Sequence, residues 1–281
     1  MKRVMTIGCW LVVAGLIASA QAENQSPKAQ TTGAASNVAR AVAQTATREQ
    51  TGSSAVAIRQ AAAVGKHLFI FFYEKDDAAT RSARKTFKSA LGKIGDTAIW
   101  MAIDRNNSAE KEIVREYGIG RAPMPLVLVL APNGAITGGF PAKNLSEDKL
   151  RDSIASRGFQ ACLKALQERK LVFVCAQNSS TKSNDAAMQG VNDFKSDLRF
   201  ANFTEIVKVD PSDAAEAKFL AQLKIDPKTQ EASTAFLAPP GVVLNTTSGS
   251  TSKDTLIGLL MAASSGCGAG GCAPSGCGPS R

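Results

Sequence analysis

The sequence predicts an α/β protein built from two repeats, each a βαβ unit followed by a β-hairpin and a closing helix. Apolar, strand-like runs alternate with amphipathic helical segments along the chain, which is the pattern of βαβ units. Two markers recur in both halves: a strand that ends in Asp, and a later strand that runs into Ala-Pro-x-Gly. Asp104 stands 27 residues before Ala131, and Asp210 stands 28 residues before Ala238. Because the same element order separates the markers, the matched spacing indicates an internal duplication.

The first repeat is predicted to begin near Ser54 with a helix. Residues 68–73 form an uninterrupted apolar and aromatic run, as expected of a strand buried on both faces. The Asn-Gly pair at 133–134 supplies a tight hairpin turn, and Glu110 is expected to face solvent. The predicted elements are helix 57–64, strand 68–73, helix 78–91, strand 97–104, helix 108–117, strands 126–130 and 135–140, and helix 146–156.

The second repeat is predicted to follow the same order. This interpretation assigns residues 54–158 to the first domain and residues 159–263 to the second. The predicted elements are helix 162–169, strand 171–175, helix 185–198, strand 204–210, helix 214–223, strands 233–237 and 241–247, and helix 254–263.

Two segments of the first repeat resemble the thioredoxin-like proteins. Residues 70–81 (IFFYEKDDAATR) stand where that family has a strand followed by W-C-x-x-C-K, and residues 117–126 (YGIGRAPMPL) resemble its Y-x-I-x-x-x-P-T segment. The resemblance covers residues 54–158 closely and residues 159–263 more loosely. It implies an α/β fold of two tandem thioredoxin-like domains, with Pro125 as the family's cis-proline.

Both repeats depart from the family where its redox chemistry resides. That chemistry needs a low-pKa cysteine at a helix N-terminus and a second cysteine one turn later. Asp77 and Thr80 occupy those two positions in the first repeat. In the second repeat the corresponding loop is residues 178–182 (NSSTK), and Ala232 falls near the proline position. The sequence therefore predicts a redox-inactive CxxC site on a retained scaffold.

The residues at these positions are typical of helix starts. The carboxylates of Asp76 and Asp77 would accept hydrogen bonds from free N–H groups and would be favoured by the helix dipole. Residues 178–180 predict the same capping role in the second repeat. His67, the only histidine, begins the first strand at the end opposite the usual active face, which favours a structural role.

The first 22 residues have the three parts of a secretory signal peptide. A basic start precedes an uncharged apolar stretch from residue 7 to residue 20, and small residues precede a cleavage site after Ala22 or Ala20. The alternative is a retained membrane anchor. Residues 23–53 are rich in Ala, Gln, Thr and Ser and predict a flexible linker. We therefore expect export to the periplasm or beyond, with no membrane span after signal cleavage.

Export would place the remaining cysteines where disulfides can form. Cys162 begins a predicted helix and Cys175 ends the strand that follows it, so both lie at the same edge of the second domain. The lengths of helix and strand allow a Cys162–Cys175 disulfide. The alternatives are two separately buried, inert thiols, or a functional thiol at Cys175.

Residues 264–281 form a tail rich in Gly, Ala, Pro and Ser, with Cys267, Cys272 and Cys277 at five-residue intervals. Such a segment cannot build a core, so it is predicted to be flexible until something binds. Three thiolates would suit a soft ion such as Cu(I) or Zn(II), or thiol exchange with a partner. Disulfides within the tail, or to another chain, are the alternative.

Charge and composition narrow the class of function. The net charge is +9, but the basic residues are scattered among acidic ones without a run of five or six, which argues against a nucleic-acid partner. The favoured hypothesis is an exported, non-catalytic protein that binds a partner protein in the cell envelope, with the tail as a soft-metal or thiol-exchange appendage. The alternatives are a thiol–disulfide oxidoreductase that uses the tail cysteines, and an envelope protein that handles copper or zinc.

Overall fold

The computed structural model describes residues 54–266 of the chain. The predicted signal peptide, the linker and the tail cysteines lie outside these residues. The first group of elements is α1 (Ser54–Ala63), β1 (His67–Tyr73), α2 (Ala78–Gly92), β2 (Ala98–Asp104), α3 (Lys111–Glu116), β3 (Leu126–Leu130), β4 (Ile136–Pro141) and α4 (Glu147–Asp152). The second is α5 (Arg157–Gln167), β5 (Leu171–Ala176), α6 (Asn184–Ser196), β6 (Thr204–Val209), α7 (Ala217–Gln222), β7 (Ser233–Ala238), β8 (Val242–Ser248) and α8 (Lys253–Gly266).

Each group forms one four-stranded sheet, with the order β2-β1-β3-β4 in the first and β6-β5-β7-β8 in the second. Strand β1 runs parallel to β2 and antiparallel to β3, and β5 likewise runs parallel to β6 and antiparallel to β7. The last strand of each sheet closes an antiparallel hairpin, β3–β4 or β7–β8. This order and these directions are those of the thioredoxin fold. The predicted fold class, two tandem thioredoxin-like domains, is therefore confirmed.

The duplication extends to irregular details of the backbone. The β3–β4 pairing shifts register just before Leu130, and the β7–β8 pairing shifts just before Leu237. Gly118, after α3, and Lys224, after α7, both have left-handed φ angles, of 64° and 58°. These shared irregularities give a residue-by-residue correspondence between the two halves.

Helices cover both faces of each sheet, which explains why the central strands are apolar throughout. In the first repeat α1 and α3 pack on one face, and α2 and α4 pack on the other. In the second repeat α5 and α7 take the first face, and α6 and α8 take the second. None of the helices within residues 54–266 is long and apolar enough to cross a membrane.

Helix α5 joins the two repeats. It packs on its own sheet, and its Gln167 side chain also bonds β4, accepting from the Ile136 N–H at 2.9 Å and donating to the Ile136 carbonyl at 2.7 Å. The helix predicted over 146–156 ends at Asp152, and α5 begins at Arg157 rather than at Cys162. Ser156 explains this earlier start, because its hydroxyl caps α5 by accepting from the Phe159 N–H.

Candidate functional site

The candidate site of the first repeat lies where β1 ends and α2 begins, beside the loop that leads into β3. Asp77 is the N-cap of α2, and its carboxylate accepts a hydrogen bond from the Thr80 N–H at 2.8 Å. That bond holds the pKa of Asp77 below its usual value. Thr80 itself is buried. The two positions at which the family carries cysteines thus hold a capping carboxylate and the residue that it caps.

Asp76 does not share this capping role, contrary to the prediction. Its carboxylate points to the side of α2 and forms ion pairs with Arg84 at 3.3 Å and with Arg81 at 3.9 Å. The Arg84 guanidinium also lies over the Tyr73 ring, 4.6 Å from its centroid. A single carboxylate already caps the helix, so the neighbouring one is left to pair with the basic residues of the first turns.

The loop before β3 faces this helix start and is held by Arg105. The Arg105 guanidinium pairs with Glu74 at 2.7 Å and donates to the Ala122 carbonyl at 3.0 Å, which ties the ends of β1 and β2 to the loop. The Met124–Pro125 peptide bond is cis, as the resemblance implies, and Pro125 directly precedes β3. The first repeat therefore combines a cis-proline before β3 with Asp77 and Thr80 at the positions of the family's cysteines.

The corresponding loop of the second repeat is built differently. Asn178 accepts hydrogen bonds from the N–H groups of Ser180 and Thr181 at 2.8 and 3.2 Å, and it donates to Asp210 at 2.8 Å. That last bond is the main cause of the lowered pKa of Asp210. Helix α6 begins only at Asn184. The predicted capping by residues 178–180 is therefore wrong, because this loop is longer and its polar side chains order the loop itself.

The structure has no Cys162–Cys175 disulfide, which the sequence left as one possibility, and it has instead the alternative of two separately buried thiols. Both cysteines are free and buried. Cys162 packs in the cluster beneath α5 and α7, whereas Cys175 belongs to the cluster beneath α6 and α8 on the opposite face of the sheet. Burial raises the pKa of Cys162 to about 12 and that of Cys175 to about 11. At these pKa values both thiols are protonated near neutral pH, whereas the thiolate is the nucleophilic form of cysteine.

His67 has the predicted structural role. Its side chain is buried, and Nε2 accepts a hydrogen bond from the Ala155 N–H at 3.2 Å. Burial lowers the pKa of His67 to about 4, which keeps the imidazole neutral. Within residues 54–266, no group of three or more His, Cys, Asp or Glu side chains could hold a metal ion. The predicted metal ligands Cys267, Cys272 and Cys277 lie outside the described part of the chain.

Helix α2 carries a basic face next to the candidate site, which sequence reasoning missed. Its fifteen residues include four basic side chains and no acidic one. Arg81, Lys85 and Lys88 are exposed, and the Lys88 ammonium also lies 4.5 Å from the centroid of the Trp100 ring. The available signal was the helical spacing of these residues, because 81, 85 and 88 fall on one side of a helix. The three residues are not consecutive in the sequence, so they form no unbroken basic run.

Two buried glutamates, one in each repeat, were also missed. Glu110 accepts from the N–H of Ser54 at the start of α1. At the matching position of the second repeat, Glu216 accepts from the Gly158 N–H at 2.7 Å and from the Ser156 hydroxyl at 2.5 Å. The prediction that Glu110 faces solvent is wrong, because it serves a helix start distant in sequence. Both residues are structural.

The chain is similar to several solved structures of thioredoxins. Thioredoxin f from spinach chloroplast is 18% identical over 41% of this chain and 90% of its own, with a TM-score of 0.33. The germline-specific thioredoxin Deadhead from Drosophila melanogaster is 23% identical over 37% and 91%, with a TM-score of 0.29. Mitochondrial thioredoxin 3 from Saccharomyces cerevisiae is 15% identical over 37% and 90%, again with a TM-score of 0.29. No family model and no curated protein sequence matches the chain.

Proposed function

We propose that this chain is an exported, non-catalytic thioredoxin-like protein that binds a partner protein in the cell envelope. The observation that carries the proposal is the start of α2, where Asp77 caps Thr80 in place of a dithiol. The fold, the cis-proline loop and its Arg105 tether are kept although the reactive pair is gone. A face preserved without its chemistry is suited to binding. The signal-like residues 1–22 support export.

The charge of α2 indicates the chemistry of the partner. Arg81, Lys85 and Lys88 form an exposed basic face on α2, whose fifteen residues include no acidic one, and Asp76 just before the helix pairs with Arg81. A basic helix face of this kind attracts an acidic partner and orients it during encounter. We propose that the partner presents an acidic segment to this face.

Photo-crosslinking in cells tests the proposed binding face. A benzoylphenylalanine at Lys85 is expected to give a discrete adduct in the envelope, and Lys88→Glu in the same chain is expected to weaken it. The matched control places the crosslinker at Lys111, which is exposed on α3 on the opposite face of the sheet. Equal adducts at both positions, or none at Lys85, would contradict the proposed face.

An insulin-reduction assay with dithiothreitol tests the absence of catalysis. The purified exported chain is expected to give no rate above the background, because Cys162 and Cys175 are buried and have raised pKa values. An authentic dithiol thioredoxin serves as the positive control. Turnover that disappears when Cys267, Cys272 and Cys277 are all replaced by Ser would establish the oxidoreductase alternative instead.

The tail is proposed to bind a soft metal ion or to exchange thiols with a partner. Three cysteines in a Gly-, Ala-, Pro- and Ser-rich segment suit Cu(I) or Zn(II). The reduced full chain is expected to retain Cu(I) after gel filtration in the presence of a weak competing chelator. A chain truncated after Ser264 is the control and is expected to retain none. Equal retention by the two chains would exclude the tail as the metal ligand.

A further inference from the structure

The outer edge of the first sheet is covered by the second repeat. The backbone N–H and C=O of Ile136, on the edge strand β4, both bond the side chain of Gln167 from α5. Ile136 pairs with Leu130 at the β-bulge, and Val243 pairs with Leu237 at the matching bulge of the second sheet. Val243 is therefore the structural equivalent of Ile136, on an edge strand that no other repeat covers within residues 54–266.

The edge strand β8 has the properties of an unfilled docking site. Its sequence, VVLNTTS, contains no charge and no proline, the two devices that commonly protect an exposed edge. Val242 and Val243 are 53% and 42% exposed. Among the described residues, no side chain forms a hydrogen bond with the Val243 backbone, in contrast to the pair of bonds at Ile136.

Helix α1 is the structural equivalent of α5, and no repeat precedes it among the described residues. Gly65, after α1, and Arg169, after α5, both have left-handed φ angles, of 67° and 61°, which aligns the two helices. In this alignment Ala63 stands at the position of Gln167, and Val56 and Gln60 lie on the same side of α1 as Ala63. Val56 is 52% exposed, and Val64 at the end of the helix is 43% exposed.

The exposed apolar residues concentrate on these two surfaces. Seven large hydrophobic residues are exposed in the described part of the chain, and four of them, Val56, Val64, Val242 and Val243, lie on the α1 face or on β8. The molecule thus displays apolar surfaces on the equivalents of the two elements, α5 and β4, that meet between its repeats. Large exposed apolar residues grouped in this way mark interaction sites.

We propose that copies of this chain associate head to tail, with α1 of one copy packed against β8 of the next. The contact would bring together the same two kinds of element as the α5–β4 contact, with apolar packing of Val56 against Val243 in place of the Gln167 hydrogen bonds. Because the two surfaces differ, the interface is heterologous, and it generates a chain or a ring rather than a closed two-fold dimer. This inference does not depend on the proposed function.

Sedimentation of the purified exported chain tests the proposal, in reductant so that the tail cysteines cannot link copies. The wild-type mass is expected to rise with concentration beyond that of one chain. Val56→Glu removes the α1 surface and Val243→Lys protects the edge, so each variant alone is expected to stay monomeric. An equal mixture of the two is expected to form dimers, because each variant supplies the surface that the other lacks.

The control variant is Leu198→Asp, which changes an apolar residue that is 94% exposed but lies on neither surface. It is expected to associate as the wild type does, and circular dichroism should show all three variants to be folded. A wild type that is monomeric at every concentration would overturn the proposal. So would association that survives Val56→Glu and is lost in Val243→Lys, because that result indicates symmetric pairing of β8 with β8. Loss of association in Leu198→Asp would place the contact elsewhere and would also overturn it.

Discussion

Gly190→Ala is expected to lower the free energy of unfolding by about 3 kcal/mol, as estimated for forced overpacking of a close contact. Gly190 lies on the buried side of α6, where the segment leading into α8 crosses it. A Cβ at this position would clash with the Thr251 carbonyl oxygen and would lie 2.7 Å from its carbonyl carbon. These are backbone atoms, which cannot rotate away as a side chain can. Urea unfolding followed by circular dichroism measures the loss.

The matched control is Gly258→Ala on α8, the helix on the other side of the same contact. A Cβ at Gly258 meets no atom within 4 Å. Alanine is there expected to raise the free energy of unfolding by about 0.5–1 kcal/mol, through its better helix propensity. The two substitutions are chemically identical. Changes of opposite sign in the free energy of unfolding would therefore show that the close approach of the Thr251 backbone causes the loss at Gly190. Equal effects would show that the contact at Gly190 does not limit stability.

The architecture could be predicted because its signals are local and repeated. Residues 68–73 are continuously apolar, and β1 is buried on both faces along that run. The Asn133-Gly134 turn closes the hairpin, with Gly134 at a φ of 80°. The repeated Asp and Ala-Pro-x-Gly markers align two groups of elements with the same strand order. The strand and turn signals act within a few residues, so tertiary packing does not override them, and the markers repeat at a matched spacing in both halves.

The cysteine pair could not be assigned from lengths alone. The predicted lengths take Cys162 as the start of its helix, whereas α5 begins at Arg157 and places Cys162 in its middle. Side chains also alternate across a strand, so the parity of position 175 decides which face its thiol takes. Val174 and Ala176 share the α5 face with Cys162, and Cys175 is turned away from it. To predict a disulfide, one must know which face of the sheet each cysteine side chain takes as well as how far apart the two cysteines lie.

The buried glutamates could not be found from local periodicity, because their partners are distant in sequence. Glu110 lies 56 residues from Ser54, and Glu216 lies 58 residues from Gly158. The sequence around Glu110 reads as an exposed, charged helix start. In the structure this helical segment begins with a 3₁₀ turn at Ser108, and Glu110 at the end of that turn is buried. The available signal was the duplication itself, because an identical residue at the matched position indicates a shared role.

Glu216→Ala is expected to lower the free energy of unfolding by about 2–4 kcal/mol, since a buried acceptor lost from two charge-assisted hydrogen bonds leaves its donors unpaired. The carboxylate holds the Gly158 N–H and the Ser156 hydroxyl at the start of α5, the helix that joins the repeats. Glu216→Gln is expected to lose less, because its one carbonyl oxygen can still accept. Asp213→Ala, at the exposed cap of the same turn, is the control with a smaller loss.

Comparison with Glu110→Ala shows how much of this loss comes from the junction between the repeats. Both Glu110 oxygens approach a single N–H at 3.3 Å, so fewer and longer bonds are at stake and a smaller loss is expected. Glu216→Ala should also loosen α5 against β4, which hydrogen exchange at the Ile136 amide would report as faster exchange. Unchanged exchange there would show that α5 is anchored by its own core alone. That result would also mean that the stability lost in Glu216→Ala belongs to the second repeat and does not come from its contact with the first.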